Sequence, residues 1–313
     1  MPSESTPMVL VTCRQMQEEL PRHRERIERL GFEVLAPDLG HRQQFTAAEL
    51  LEYRSRLVGI IAGDDELDRG FFEGSTKLKT VIRWGIGMDS VDQEAARQCG
   101  VTVRNTPGVF GHEVADSAFG YILNLARHYF EIDAAIRRGE WPKFEGLTLH
   151  GSRLGVVGLG SIGREIVARG RGFGMDVAAF DPLVENPPAE VSMVELDELL
   201  STSRFTVLAC PLTPTTRHLI NASRLALMPR DSYLVNVARG PVVRESDLIE
   251  ALKNGAIAGA ALDVFEVEPL PTDSELRSFP NVILGAHNGS NTREGVARAS
   301  AKAVDFLVEE LAR

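Results

Sequence analysis

Two groups of residues in this sequence have the types and the spacing that chemistry needs. The first is Gly158, Gly160 and Gly163, which stand as G-x-G-x-x-G within VVGLGSIG. The apolar run 154–157 ahead of them is of the kind a buried parallel strand shows. Behind them a helical pattern puts Ile162, Ile166, Val167 and Phe173 on one face, Gly174 closes it, and a second apolar run, 177–180, ends at Asp181. The glycines serve different ends. Gly158 permits the tight turn out of the strand, Gly160 lets a pyrophosphate approach the backbone, and Gly163 lets helix and strand pack closely. The helix start, at Ser161 and Ile162, offers unpaired N–H groups and a partial positive charge to phosphates. A carboxylate at Asp181 can accept from both hydroxyls of an adenosine ribose and would repel a 2′-phosphate, which favours NAD over NADP. A lone glycine triplet is weak; strand, glycines, helix, strand and acid in one unit set it apart from an ordinary glycine-rich turn.

The second group is Arg239, Glu268 and His287. Each follows an apolar run, LVNVA, LDVFEV and VILGA respectively, and open α/β sheets bind ligands beyond the carboxyl ends of their strands. The three suit hydride transfer to a 2-keto acid. A guanidinium can clamp a carboxylate and polarise the neighbouring carbonyl. An imidazolium can donate a proton to that carbonyl while hydride arrives at carbon. A carboxylate beside the imidazole fixes its tautomer and favours the protonated ring. Taken singly, Arg239 could be a surface residue, Glu268 a solvated acid and His287 a helix cap; their joint placement after successive strands weighs against all three.

The elements that must position these groups alternate along the chain. Strand signals at 8–13, 32–37, 57–63, 78–84 and 101–105 are separated by helical patterns at 18–30, 46–53, 67–72 and 91–99, which predicts an open parallel sheet covered by helices. That region lacks the glycine fingerprint. Asn105-Thr106-Pro107-Gly108 is a turn and a boundary. A long helix is expected over 113–131, bridging two domains, and another over 132–141. After Asp181 come a helix at 194–201, strands at 205–213, 232–240, 256–265 and 281–285, helices at 221–228 and 245–254, and a final helix at 292–311. The expected architecture is α/β with two doubly wound parallel-sheet domains. The first, substrate-binding domain is discontinuous, residues 1–105 and 290–313; the nucleotide-binding domain is residues 106–289.

Composition narrows the class. At 313 residues the prior is about two domains. A hydrophobic content of 43% and a charged content of 25% are ordinary for a soluble globular protein. No apolar run has the length of a membrane span, and the N-terminus MPSESTP has no signal-peptide pattern. Cys13, Cys99 and Cys210 are scattered, so neither a metal site nor a disulfide framework is expected, and a reduced, cytoplasmic setting fits. The net charge is −10, and the one basic run, PRHRER, sits on a helical pattern; neither nucleic acid nor a membrane is an expected partner. A small acid substrate gains no steering from that balance, so local arginines must hold it.

The stretches LKTVIRWGIGMDSVD, NTPG, VVGLGSIG, FDP, PLTPTTRHLI, VNVARGPVV, GAALDVFEVEP and AHNGSNT carry a resemblance to a known family. The chain resembles the D-isomer-specific 2-hydroxyacid dehydrogenases, most of all their phosphoglycerate dehydrogenase branch, over roughly residues 50 to 300. The resemblance implies a Rossmann NAD-binding domain and a flavodoxin-like substrate domain with an active-site cleft between them. It puts the catalytic Arg–Glu–His set on Arg239, Glu268 and His287. It puts NAD (NAD+/NADH) on Gly158, Gly160, Ser161, Ile162, Gly163, Asp181, Pro211, Ala238 and Asp263, the last against the nicotinamide carboxamide. It implies a substrate carboxylate held by backbone N–H groups in Trp84, Gly85, Ile86 and Gly87, beside Arg83 and Arg239; the glycines there fit a main chain that approaches an anion. It also implies a homodimer joined through the NAD-binding domain.

Departures bear on the substrate. Phosphoglycerate-specific members usually carry an arginine where this chain has Ala62, and Asp64 would repel a phosphate; Arg83 or Arg54 could compensate. Trp84 is bulkier than the usual residue, Asn288 replaces an apolar one, and Asp116 stands where glutamate is frequent. With the chain ending at Arg313, no appended serine-sensing domain is expected. The expectation is an NAD-dependent D-2-hydroxyacid dehydrogenase or 2-keto acid reductase, an enzyme acting on a CH–OH group. The alternative is an NAD-responsive, corepressor-like binding protein on the same fold.

Overall fold

The apolar runs of the first hundred residues form five strands: β1 (Met8–Val11), β2 (Glu33–Leu35), β3 (Leu57–Ala62), β4 (Thr80–Arg83) and β5 (Thr102–Asn105). All pair in parallel, in the order β2-β1-β3-β4-β5. The inner strands β1, β3 and β4 are buried along their whole length, which is why they read as continuous apolar runs. The computed structural model describes residues 6–40, 42 and 44–313; residues 1–5 of the stretch read for a signal peptide lie outside them. Contacts divide the chain into two units, Met1–Phe110 with Asn291–Arg313, and Gly111–Ser290.

The last helix, Arg293–Leu311, completes the first unit. It packs so closely on β3 that a Cβ on Gly59 would lie 3.1 Å from Leu307 Cδ1 and 3.3 Å from Leu311 Cδ1. The first helix begins at Arg14, ahead of the expected start, and keeps Pro21 inside. Its buried face of Met16, Leu20 and Ile27 explains this: Met16 belongs to the packed stripe, and burial outweighs the one backbone bond that Pro21 forfeits. Asp65, fully buried, ties three parts of this unit together. It accepts from Thr12 Oγ1, from Phe45 N at 2.8 Å and from Gly63 N at 2.9 Å. Burial pushes its carboxyl pKa up, against the pull of those donors.

The second unit holds seven strands: β6 (Arg153–Val157), β7 (Asp176–Phe180), β8 (Ser192–Met193), β9 (Phe205–Leu208), β10 (Tyr233–Asn236), β11 (Gly259–Leu262) and β12 (Val282–Leu284). They are all parallel, in the order β12-β11-β10-β9-β6-β7-β8. The chain leaves β6 in one direction, through β7 and β8, then returns to β9 on the other side, so a switch point lies between β6 and β9. The register aligns Leu208, Asn236, Leu262 and Leu284 in one row at the carboxyl ends. Two parallel-sheet α/β domains are thus present, as the alternation of signals predicts.

Several expected elements differ. The helix expected over 113–131 runs from Gly111–Arg127 and stops at His128, whose φ is 56°. At the break Asn124 Oδ1 accepts from Phe130 N at 2.8 Å, where the helix Tyr129–Arg137 starts. The helix expected at 221–228 is confined to Ala222–Leu225. The short edge strand β8 is exposed, with no apolar run to announce it. No helix among the described residues is long and apolar enough to cross a membrane.

Replacing Asp65 with alanine strands three donors in a dry interior and should cost about 2–4 kcal/mol, a fall of roughly 10 °C in Tm. A thermal melt of the Asp65→Ala variant checks this; a Tm within a degree or two of wild type would contradict it.

Candidate active site

The glycine turn between β6 and its helix is fixed by sterics. Gly158 has φ +97°, and a Cβ there would sit 2.7 Å from Cys210 N. A Cβ on Gly163 would lie 1.9 Å from the Gly158 carbonyl oxygen, so helix and strand touch as the spacing predicts. Gly160 has nothing within 4 Å of its Cβ position. It N-caps the helix Ser161–Gly172 without any side-chain cap bond. An open approach to uncapped helix amides suits a phosphate. Asp181, just past β7, is oriented by the main chain: Oδ2 accepts from Leu159 N at 2.8 Å and Oδ1 from Leu183 N at 2.9 Å. Each oxygen keeps a further lone pair for a ribose hydroxyl. Beside the turn, burial and then the charge of Asp181 push the Cys210 thiol up to about 11, against a backbone hydrogen bond, so it is neutral at physiological pH. These residues fit a dinucleotide on observations independent of any motif. Pro211 follows Cys210 at the surface, and Ala238 is buried in the turn after β10.

The loops after β10, β11 and β12 carry the second group. Buried Asn236 shapes the first: its Oδ1 accepts from Ala238 N at 3.1 Å and its Nδ2 donates to the Arg239 carbonyl at 3.0 Å. The half-buried Arg239 guanidinium donates from Nη1 to the Ala238 carbonyl at 3.0 Å. Glu268 Oε1 accepts from Phe265 N at 2.9 Å, and its Oε2 lies 2.7 Å from His287 Nδ1. His287 is held in a left-handed conformation, φ 51°, with its N–H on the Asp263 carbonyl at 2.7 Å. The structure therefore brings Glu268 and His287 into direct contact.

Asp263 is almost wholly buried and does more than a single predicted contact. Its Oδ1 accepts from Tyr121 Oη at 2.8 Å and from Asn288 N at 3.2 Å, and its Oδ2 from Gly289 N at 2.9 Å. Tyr121 and Asn236 are residues that sequence reasoning missed. Tyr121 reads as part of an apolar helical stripe; Asn236 ends a strand pattern.

The loop expected to hold the substrate carboxylate lies in the first unit, after β4. Arg83 is buried, its guanidinium committed to Asp64 and to the Trp84 carbonyl. Trp84 is buried too; its ring packs on Phe110 with centroids 5.1 Å apart and its Nε1 donates to Ser300 Oγ at 3.0 Å. Gly85 has φ +136°, with a Cβ position 2.8 Å from Arg83 Nη1, and its N–H goes to Thr106 Oγ1 at 2.9 Å. Three of the expected ligand residues are therefore turned to internal duties, because a buried guanidinium and a buried indole must find partners. Ile86 and Gly87 stay half-exposed, and Asn105 Nδ2 holds the Ile86 carbonyl at 2.7 Å. Arg54 is exposed, with Nη1 on the Leu51 carbonyl at 3.0 Å.

Residues 119–289 match the family model for the D-isomer specific 2-hydroxyacid dehydrogenase, NAD binding domain. A D-3-phosphoglycerate dehydrogenase of Methanocaldococcus jannaschii is 41% identical over 272 residues, 85% of this chain; this chain spans only 51% of that relative's length. A glyoxylate reductase of Thermococcus onnurineus is 37% identical over 314 residues, covering 95% of this chain and 91% of the relative. Among solved structures, the TT0316 protein of Thermus thermophilus superimposes with a TM-score of 0.87 at 36% identity, covering 97% of each chain.

Proposed function

The chain belongs to the D-isomer-specific 2-hydroxyacid dehydrogenases, and we propose that it reduces small, unphosphorylated 2-keto acids such as glyoxylate and hydroxypyruvate with NADH. As a member it is an NAD-dependent oxidoreductase acting on the CH–OH group. The observation that carries the residue roles is the 2.7 Å contact of His287 Nδ1 with Glu268 Oε2, with the other Glu268 oxygen fixed on a backbone amide. The relatives compared carry enzyme names, which lends the corepressor-like alternative no support.

In this reading Glu268 is anchored before the substrate arrives and holds the Nδ1 proton of His287. Nε2 is then the atom that exchanges a proton with the substrate oxygen. In reduction Nε2–H protonates the keto oxygen as that oxygen gains charge, and the ring is left neutral; in oxidation neutral Nε2 takes the hydroxyl proton. Arg239 donates to the substrate carboxylate and keto oxygen, which raises the electrophilicity of C2. The Ile86 and Gly87 amides hold the carboxylate. Gly158, Gly160, Ser161, Ile162, Gly163 and Asp181 hold the dinucleotide, whose nicotinamide supplies or takes up the hydride. The preference for unphosphorylated acids rests on charge: Asp64 neutralises Arg83 and position 62 is alanine, so neither position offers a cation to clamp a phosphate.

Two further readings concern the whole protein. Tyr129, Phe130, Ile136, Trp141 and Phe144 are all exposed, Trp141 to 81%, which supports a homodimer formed through the NAD-binding domain. Three free cysteines suit a reducing cytoplasm.

NADH oxidation across glyoxylate, hydroxypyruvate, 3-phosphohydroxypyruvate and longer keto acids tests the activity. An unphosphorylated acid should be preferred, and His287→Ala should lower turnover by about 10²–10⁴-fold with NADH binding kept. Preference for the phosphorylated acid, or an active His287→Ala variant, would overturn the reading. Asp181→Ala should weaken NADH binding and narrow its advantage over NADPH, checked by fluorescence titration; a wild type that binds both equally would remove Asp181 from cofactor choice. Light scattering should give twice the mass of the 34.3 kDa chain, and a monomer at micromolar concentration would refute the dimer.

A further inference from the structure

The turn that carries His287 is gripped from one helix. Two side chains of the helix Gly111–Arg127, one helical turn apart, reach it: Ser117 Oγ donates to the Gly289 carbonyl at 3.3 Å, and Tyr121 Oη donates to Asp263 Oδ1 at 2.8 Å. Asp263 passes the grip on. Its carboxylate takes the amides of Asn288 and Gly289, and its carbonyl takes the amide of His287. Three consecutive main-chain amides, 287 to 289, thus hang on one buried acid, and the tyrosine hydroxyl is a side-chain donor on that acid.

The surroundings leave little slack. A Cβ on Gly285 would lie 2.3 Å from Tyr121 Oη and 2.4 Å from Asp263 Oδ1, and one on Gly289 would lie 2.9 Å from Asp263 Oδ2. His287 itself holds a φ of 51°, a conformation that is strained for a non-glycine residue and persists only when its surroundings impose it. Burial, and then Asp263, push the Tyr121 phenol pKa up, so it remains a donor through the physiological range.

We propose that Tyr121 is a positioning residue: acting through Asp263, its hydroxyl fixes the 287–289 turn and so the aim of the His287 ring. The proposal rests on the role given above to His287 and extends it to a helix of the same unit. Tyr121 touches neither substrate nor reacting atoms in this scheme. Its effect appears where ring orientation matters, in the proton-transfer step, and not in substrate affinity.

The test is Tyr121→Phe, which removes one oxygen and keeps the ring. Hydrogen–deuterium exchange of the peptide spanning residues 285–290 should rise at least severalfold, with the rest of the chain unchanged. The kcat for keto-acid reduction should fall about tenfold, with KM for the acid within twofold. Asp263→Ala should itself lower kcat, and on that background the added Tyr121→Phe change should cost nothing more. Unchanged exchange at 285–290, an unchanged kcat, a loss confined to KM, or full additivity with Asp263→Ala would each overturn the proposal. Exchange needs no turnover. Should the wild type reduce no keto acid, the reading of the activity fails, while the exchange result alone still decides whether Tyr121 holds the turn.

Discussion

Every strand of the second unit runs the same way, and the layout of its candidate site follows from that one constraint. A parallel pair cannot be closed by a tight turn; each return needs a crossover. Every loop that leaves a carboxyl end therefore emerges at the same edge. The row Leu208, Asn236, Leu262 and Leu284 marks that edge, and Arg239, Glu268 and His287 follow within a few residues of its last three members. Glu268 and His287, 19 residues apart, become neighbours because strand pairing has already aligned the ends from which they project. The cost is that each such loop needs its own strand and crossover, packed around a core that includes Leu199, Leu208, Leu234 and Leu248.

Within that frame the acids are placed by main-chain amides. Glu268 is held by Phe265 N, Asp181 by Leu159 N and Leu183 N, Asp263 by Asn288 N and Gly289 N, and Asp65 by Phe45 N and Gly63 N. An amide donor fixes direction without contributing a full charge, so a carboxylate can be oriented without being spent on an ion pair. Glu268 can then turn its second oxygen to His287. In a chain of net charge −10, this economy of cations matters: an arginine offered to an anionic substrate must not already be consumed by a neighbouring acid. Arg83 is committed to Asp64.

What was legible in the sequence is what sterics and periodicity determine locally. Gly158 and Gly163 announce their turn because no other residue fits a φ of +97° or a Cβ 1.9 Å from an oxygen. The catalytic candidates are legible because each closes an apolar run. The break at His128 is invisible to periodicity, since the apolar stripe continues across it while Asn124 Oδ1 accepts from Phe130 N. The pairings of Arg83 and Tyr121 are invisible for a different reason. Their partners, Asp64 and Asp263, lie 19 and 142 residues away, so a residue that pattern assigns to a ligand or to a core turns out to be occupied by a distant acid. Polar pairing of this kind is a tertiary property, carried neither by residue type nor by spacing.

Arg83 shows what such pairing does to a loop. A guanidinium buried to the extent of Arg83 cannot stand alone: without a partner it would carry a desolvation penalty of several kcal/mol. Asp64 and the Trp84 carbonyl supply the partners, and they place the guanidinium against Gly85, whose own amide is turned to Thr106. The arginine thus serves to shape the loop that presents Ile86 and Gly87. Its charge is offset by Asp64 within the loop itself.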